Sequence, residues 1–214
     1  MQAAGQLGAE GERKGQVSYA TADAMDEVAL AGAFERAAEQ MGGIDTVVLS
    51  AGISGVTPIA STSAADFKRI CDANLLPAFI ACKLGSRWLA PARGGAITLI
   101  SSIYGLVGQR ERAAYCAAKS GVIGLARSAA LDLAGDGIRV NAICPGFIET
   151  ELSLRTAAEE PDPEAALAQR RLMHPIPRAG RPEEIGALAA YLSSDAAAWI
   201  TGQALPVDGG YTAR

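Results

Sequence analysis

A chain of 214 residues, 50% hydrophobic and 20% charged, carries enough apolar material for one sizeable core and has the length of a single α/β domain, here taken as 1–214. A net charge of −4 without a run of Lys or Arg argues against an electrostatic surface for nucleic acid, and no nucleic-acid partner is expected. The longest wholly apolar stretch, Leu75 to Cys82, is less than half of the roughly 20 residues needed to cross a bilayer, so no membrane span is expected.

The first residues, Met1 to Gly15, are polar and Gly-rich, with neither the apolar core of a secretion signal nor the Arg-rich pattern of a transit peptide, and a cytoplasmic protein is expected. Gln16 to Asp23 alternates Val17 and Tyr19 with smaller or polar neighbours and predicts a strand. Asp26 then serves as N-cap for a helix carrying Val28, Ala31, Phe34, Ala38 and Met41, which Gly42 and Gly43 end. Ile44 to Leu49 reads as a strand buried on both faces, the kind found in parallel sheets, and ends in the turn Ala51-Gly52.

Ser63 caps a helix through Ala73, and Pro77 fits the first turn of a second helix reaching about Ala90, with Asn74 at their junction. Ala96 to Ile100 is a buried strand. A long helix from Arg112 to Ala134 closes at Gly135-Asp136-Gly137, and Ile138 to Cys144 is a strand ending in Pro145-Gly146. Thr156 to Pro163 reads as a mobile loop, Pro182 opens another helix, and Ala204 to Val207 is a short closing strand. This alternation predicts a doubly wound parallel α/β sheet, with ligands beyond the carboxyl ends of its strands.

The four cysteines, Cys71, Cys82, Cys116 and Cys144, lack C-x-x-C spacing and read as small core hydrophobes. The single His174, between Met173 and Pro175, reads as a surface or loop residue and rules out a multi-histidine metal site. Tyr115 and Lys119 stand four apart on one helix face, and Ser102 lies at a strand end that opens toward the same crevice. A free phenol has a pKa of about 10, so making it a proton acceptor near neutrality takes on the order of 4 kcal/mol of preferential phenolate stabilisation, which a neighbouring ammonium helps supply. Spacing alone is weak evidence, since i,i+4 pairs arise by chance and are usually structural.

The chain resembles the short-chain dehydrogenase/reductase family, which places a serine thirteen residues before its Tyr-x-x-x-Lys, as Ser102 precedes Tyr115. Ala73-Asn74-Leu75, Ile100-Ser101-Ser102-Ile103-Tyr104-Gly105 and Asn141-Ala142-Ile143-Cys144-Pro145-Gly146 match further family segments. So do Arg181-Pro182-Glu183-Glu184-Ile185, Ile200-Thr201-Gly202-Gln203 and Val207-Asp208-Gly209-Gly210, over about residues 16–212. The resemblance implies a Rossmann-like fold and hydride transfer between NAD or NADP and a small alcohol or carbonyl substrate. It implies Tyr115 as acid/base, Lys119 on the ribose hydroxyls, Ser102 orienting the substrate oxygen and Asn74 holding a relay water. Ala51, Gly52, Pro145, Gly146 and Thr150 would border the cofactor, with Thr150 at the carboxamide and Asp23 at the adenine. It also implies a homodimer or homotetramer built on the helices around 75–90 and 112–134.

The pattern departs from the family at two places. The strand, glycine-rich turn, helix and second strand that begin the family fold have no counterpart, and Gly5, Gly8 and Gly11 precede the first expected strand, whereas a phosphate loop follows one. In the family's strand order the two missing strands would lie between 16–23 and 44–49, a gap of roughly 14 Å. Residues 1–43 are therefore expected to detach, to slide across, or to be completed by another chain. In addition, Leu49-Ser50-Ala51-Gly52 stands where the family has Asn-Asn-Ala-Gly. NAD and NADP remain equally open, because the residue that separates them ends a missing strand. The alternative is a catalytically silent homologue with a structural or regulatory role; a serine hydrolase is disfavoured by the lack of a Gly-x-Ser-x-Gly elbow.

Overall fold

A computed structural model describes residues 17–89, 94–158 and 160–213; the glycines at 5, 8 and 11, Gln16 and Ala90 lie outside the described residues. Four parallel strands, β1 (Thr46–Leu49), β2 (Gly95–Ile100), β3 (Ile138–Pro145) and β4 (Ala204–Val207), pair in sequence order. The register sets Val47 beside Ile97, Ile97 beside Val140 and Ala142 beside Ala204. Each crossover is helical, which parallel pairing requires. Helix α1 (Glu27–Met41) precedes the sheet, α2 (Ala64–Trp88) joins β1 to β2, and α3 (Ala113–Leu133) joins β2 to β3. Helices α4 (Glu151–Ala158), α5 (Pro163–Leu172) and α6 (Pro182–Ser193) lead from β3 to β4.

Both faces of the inner strands are covered, which suits the largely apolar β2, and the polar Arg139 and Asn141 of β3 are satisfied there by donating to the Ile200 carbonyl, with Arg139 also reaching the Ser194 carbonyl. On one face Ile97, Leu99, Val140 and Ala142 pack against Ala78 and Cys82 of α2 and Val122 and Ala126 of α3. On the other, Ile143 packs with Leu192 of α6 and with Ala197. Fully burying a side chain such as Leu99 or Ile143 stabilises the fold by roughly 2 kcal/mol. This is the doubly wound arrangement expected from the alternation. Among the described helices none is long and apolar enough to cross a membrane.

Helix α1 is built as expected: the Asp26 carboxylate accepts from Val28 N and Ala29 N, and Gly42 ends the helix at φ 74°. Four expectations need correction. Residues 17–23 form no strand, and 17–21 are exposed, because alternation by itself supplies no neighbouring edge to pair with. Helix α2 runs unbroken through Pro77, so Asn74 lies mid-helix and marks no junction. The proline forfeits one helical hydrogen bond, but Ile70, Asn74, Ala78, Ala81, Leu84 and Gly85 form one buried stripe on both sides of it, and that packing outweighs the loss.

Thr156 to Ala158 belong to α4 and α5 begins at Pro163, so the stretch taken for a mobile loop is helical at both ends, with 160–162 between the two helices. Its Pro163 start is capped by the Asp162 carboxylate, which accepts from Ala165 N. His174 does sit in a loop but is buried, not surface. Its Nε2 accepts from Phe147 N at 3.2 Å while Nδ1 meets the Arg170 carbonyl at 3.0 Å, so both ring nitrogens are satisfied by backbone. Of the cysteines, all free, Cys82 and Cys144 are buried and Cys71 and Cys116 half-buried.

Candidate active site

Parallel pairing brings the carboxyl ends of β1, β2 and β3 to one edge of the sheet, and a cleft of about 770 Å³ opens there. Its lining includes Gly52, Asn74, Ser102, Tyr115, Lys119, Pro145, Gly146 and Thr150. Residues scattered over some hundred positions of sequence thus meet in one concavity.

The strand end after β2 is locked onto α3. Ser101 Oγ donates to the Lys119 carbonyl at 2.8 Å, and Ser120 Oγ donates to the Gly105 carbonyl at 3.0 Å. A Cβ at Gly105 would lie 2.8 Å from the Lys119 carbonyl oxygen, so this close approach requires glycine. Ser102 Oγ accepts from Tyr104 N at 3.2 Å and starts the single turn Ile103–Gly105. The serine hydroxyl is thereby held at the helix that bears Tyr115.

Lys119 is 5% exposed; its Nζ donates to the Ile100 carbonyl at 3.0 Å and stands 5.7 Å from the Tyr115 ring centre. Burial lowers its pKa to about 8, against a smaller upward pull from Cys144. Burial raises the Tyr115 phenol, while a hydrogen bond with Ser102 and the charge of Arg112 pull it back down. Arg112 is the group that sequence reading missed. It stands three residues before Tyr115, on the same side of the helix start, and that i,i+3 spacing was the available signal.

Asn74 is 1% exposed, and its Nδ2 donates to the carbonyls of Ile53 at 2.9 Å and Ile70 at 2.8 Å. Its Oδ1 has no hydrogen-bond partner among the described residues. A Cβ at Gly52 would fall 2.5 Å from that Oδ1 and 3.5 Å from Lys119 Nζ, so glycine lets the β1 end lie directly over both. An orphan buried acceptor beside a buried ammonium donor makes a pair suited to hydroxyl groups, which both donate and accept. Pro145 and Gly146 flank it, with the turn pinned by His174 through Phe147 N. Thr150 Oγ1 accepts from Ser153 N at 3.2 Å and caps α4.

These residues fit the ribose and nicotinamide end of a dinucleotide. The phosphate and adenine end is not matched in the same way: no described strand leads through a glycine-rich turn into a helix N-terminus. Asp23 is exposed, accepts from Met25 N at 2.9 Å, and is absent from the cleft lining, as is Ala51 beside Gly52.

The family described as enoyl-(acyl carrier protein) reductase matches residues 2–212, nearly the whole chain. The chain belongs to the short-chain dehydrogenase/reductase family. A cis-4-hydroxycyclohexanecarboxylate dehydrogenase of Sinomonas cyclohexanicum is 41% identical over 192 residues, covering 89% of this chain and 75% of that protein. An inactive 2-(S)-hydroxypropyl-CoM dehydrogenase 2 of Xanthobacter autotrophicus is 39% identical, over 90% of this chain and 84% of the relative. Among solved structures, the aldohexose dehydrogenase of Thermoplasma acidophilum superposes with a TM-score of 0.86 at 32% identity, covering 94% of this chain and 81% of that one. The family match begins well before residue 16, where the sequence motifs begin.

Proposed function

We infer that this short-chain dehydrogenase/reductase interconverts an alcohol and a ketone or aldehyde with NAD or NADP, using Tyr115 as acid/base. The observation that carries the reading is the convergence of Asn74, Ser102, Tyr115 and Lys119 in one cleft at the strand ends. When bound, the nicotinamide ring supplies the hydride acceptor or donor. Ser102 orients the substrate oxygen, and the Tyr115 phenol donates its proton to that oxygen in reduction and takes one back in oxidation. Lys119 holds ribose hydroxyls, and Asn74 Oδ1 holds a water that passes the proton on. The names of relatives that act on hydroxylated rings and sugars support a small alcohol or carbonyl substrate.

Because burial keeps the phenol protonated at neutrality, reduction is favoured near pH 7 and oxidation rises at alkaline pH. The same reading has copies associating through α2 and α3, whose Phe67, Leu76, Phe79 and Leu131 are exposed. A catalytically silent role is the second reading, favoured by the unmatched phosphate end of the cleft. Calorimetry with NADH and NADPH, followed by turnover of secondary alcohols and their ketones, separates them. Micromolar binding with turnover that Tyr115→Phe abolishes supports the enzyme; a folded chain that binds neither nucleotide supports the silent form.

A further inference from the structure

The protein carries a net charge of −4, yet its cleft is lined, among the described residues, by Arg110, Arg112, Lys119 and Arg170 against only Glu111 and Glu160. Two of these cations are engaged: Lys119 donates to the Ile100 carbonyl, and Arg170 faces Glu160 at 3.4 Å. Arg112 differs. One guanidinium nitrogen, Nη1, donates to the neutral Ser54 hydroxyl at 2.7 Å, and the guanidinium carbon sits 5.8 Å from the Tyr104 ring centre. It belongs to none of the ion pairs among the described residues.

Its placement is also constrained from the backbone. Glu111, immediately before it, is the one described non-glycine residue with positive φ, at 61°. The Glu111 carbonyl accepts from Thr57 N at 2.7 Å, and Arg112 N donates to the Gln109 carbonyl at 3.4 Å. A left-handed conformation in a side-chain-bearing residue persists only where its surroundings hold it, and such residues cluster at ligand sites. The Thr57 and Ser54 contacts together hold the guanidinium against the cleft wall.

We propose that Arg112 is an anion clamp, so that the preferred substrate carries a carboxylate on the same molecule as the alcohol or ketone carbon. The inference rests on the dehydrogenase reading for the reacting end and deepens it at the other. Arg112 and Tyr115 line the same cleft and lie three residues apart at the start of α3, which places the guanidinium within small-molecule reach of the reacting oxygen. A guanidinium offers a planar fork of donors matched to a carboxylate, and with one nitrogen fixed by Ser54 the remaining donors are oriented before the ligand arrives. A purely structural Arg112, tying the Ser54 segment to α3, would affect folding but would not discriminate an acid from its ester.

The test uses calorimetry with 4-oxopentanoate, 5-oxohexanoate and 6-oxoheptanoate, each against its methyl ester, on the wild type, Arg112→Lys and Arg112→Met. At least one acid is expected to bind the wild type fivefold or more tighter than its ester. The ratio falls to within twofold in Arg112→Met and to an intermediate value in Arg112→Lys. Should Arg112→Met not fold, a ratio undiminished in Arg112→Lys overturns the clamp. Ratios below fivefold for every pair, including no binding of either member, overturn it too, as does a ratio that survives in Arg112→Met. Turnover with NADH and NADPH is scored separately. Acid preference without turnover leaves the clamp standing and sinks the dehydrogenase reading, whereas equal use of acid and ester does the reverse.

Discussion

Val48 on β1 and Thr98 on β2 are partners in register, side by side on one face of the sheet, yet the valine is 49% exposed and the threonine 1%. Residue chemistry alone would order them the other way. The difference lies in what covers each strand: α6 packs on β2 and β3, and β1 has a paired strand on one side only among the described residues. The sheet interior therefore supplies both the core and the platform for Ser102, Tyr115 and Lys119, while the β1 margin contributes the Ser50–Gly52 turn from a looser base. Burial is concentrated where the proton chemistry is proposed, and the β1 margin is the less enclosed region.

The sharpest way to break this division is Tyr115→Phe, which is expected to lower turnover about a thousandfold, roughly 4 kcal/mol in the barrier, with melting temperature and NADH binding held. Unchanged turnover would remove the interior from the chemistry altogether. Next in size, Leu99→Ala should cost about 3 kcal/mol by urea denaturation, against less than about 1 kcal/mol for Val48→Ala. Equal losses would mean that β1 is as well packed as β2.

Smaller effects sharpen the same contrast. The folded Lys119 has its pKa near 8, below the ordinary lysine value, so between pH 8 and the unfolded pKa the unfolded chain holds more protons and stability gains from rising pH. Lys119→Met should therefore be more stable than the wild type at pH 7, with the gap narrowing by about 1 kcal/mol between pH 8 and 9. That comparison cancels the buried Cys82 thiol, whose raised pKa works in the opposite sense above pH 9 in both proteins, while Cys144 loses the downward pull of the Lys119 charge in the variant, so the gap is read below pH 9. A constant gap would show that the ammonium is not desolvated.

Finally, Thr98 Oγ1 is buried without a partner among the described residues, so Thr98→Val should raise stability by about 1 kcal/mol, whereas Val48→Thr should change it by less than about 0.5 kcal/mol. Differential scanning calorimetry of the two variants gives the comparison directly, and a destabilised Thr98→Val would indicate that the hydroxyl is hydrogen-bonded after all.

Much of this was legible from the chain alone. The apolar-rich segments at 44–49, 96–100 and 138–144, alternating with helices, predicted a parallel sheet, three of whose four strands fall within a residue or two of those limits, while the candidate site at Ser102, Tyr115 and Lys119 came from the family resemblance. Asn74 was named as a candidate site residue although its helix was misread, because the motif is local while the continuity of α2 depends on a buried stripe running from Ile70 to Gly85. For Arg112 the sequence offered only its i,i+3 spacing from Tyr115, and the contacts with Ser54 and Tyr104 that set it in the cleft come from distant parts of the chain.

What the sequence determined by itself was therefore periodic and local: which segments are apolar enough to be inner strands, where Asp26, Gly42 and Asp162 begin or end helices, and which motif residues share a helix face. Tertiary structure alone decided whether residues 17–23 would pair, whether Pro77 would break a helix, and that His174 would be buried with both nitrogens bonded to backbone. Pairing, burial and hydrogen-bond satisfaction each require a partner from a distant part of the chain, and only the packed fold supplies it.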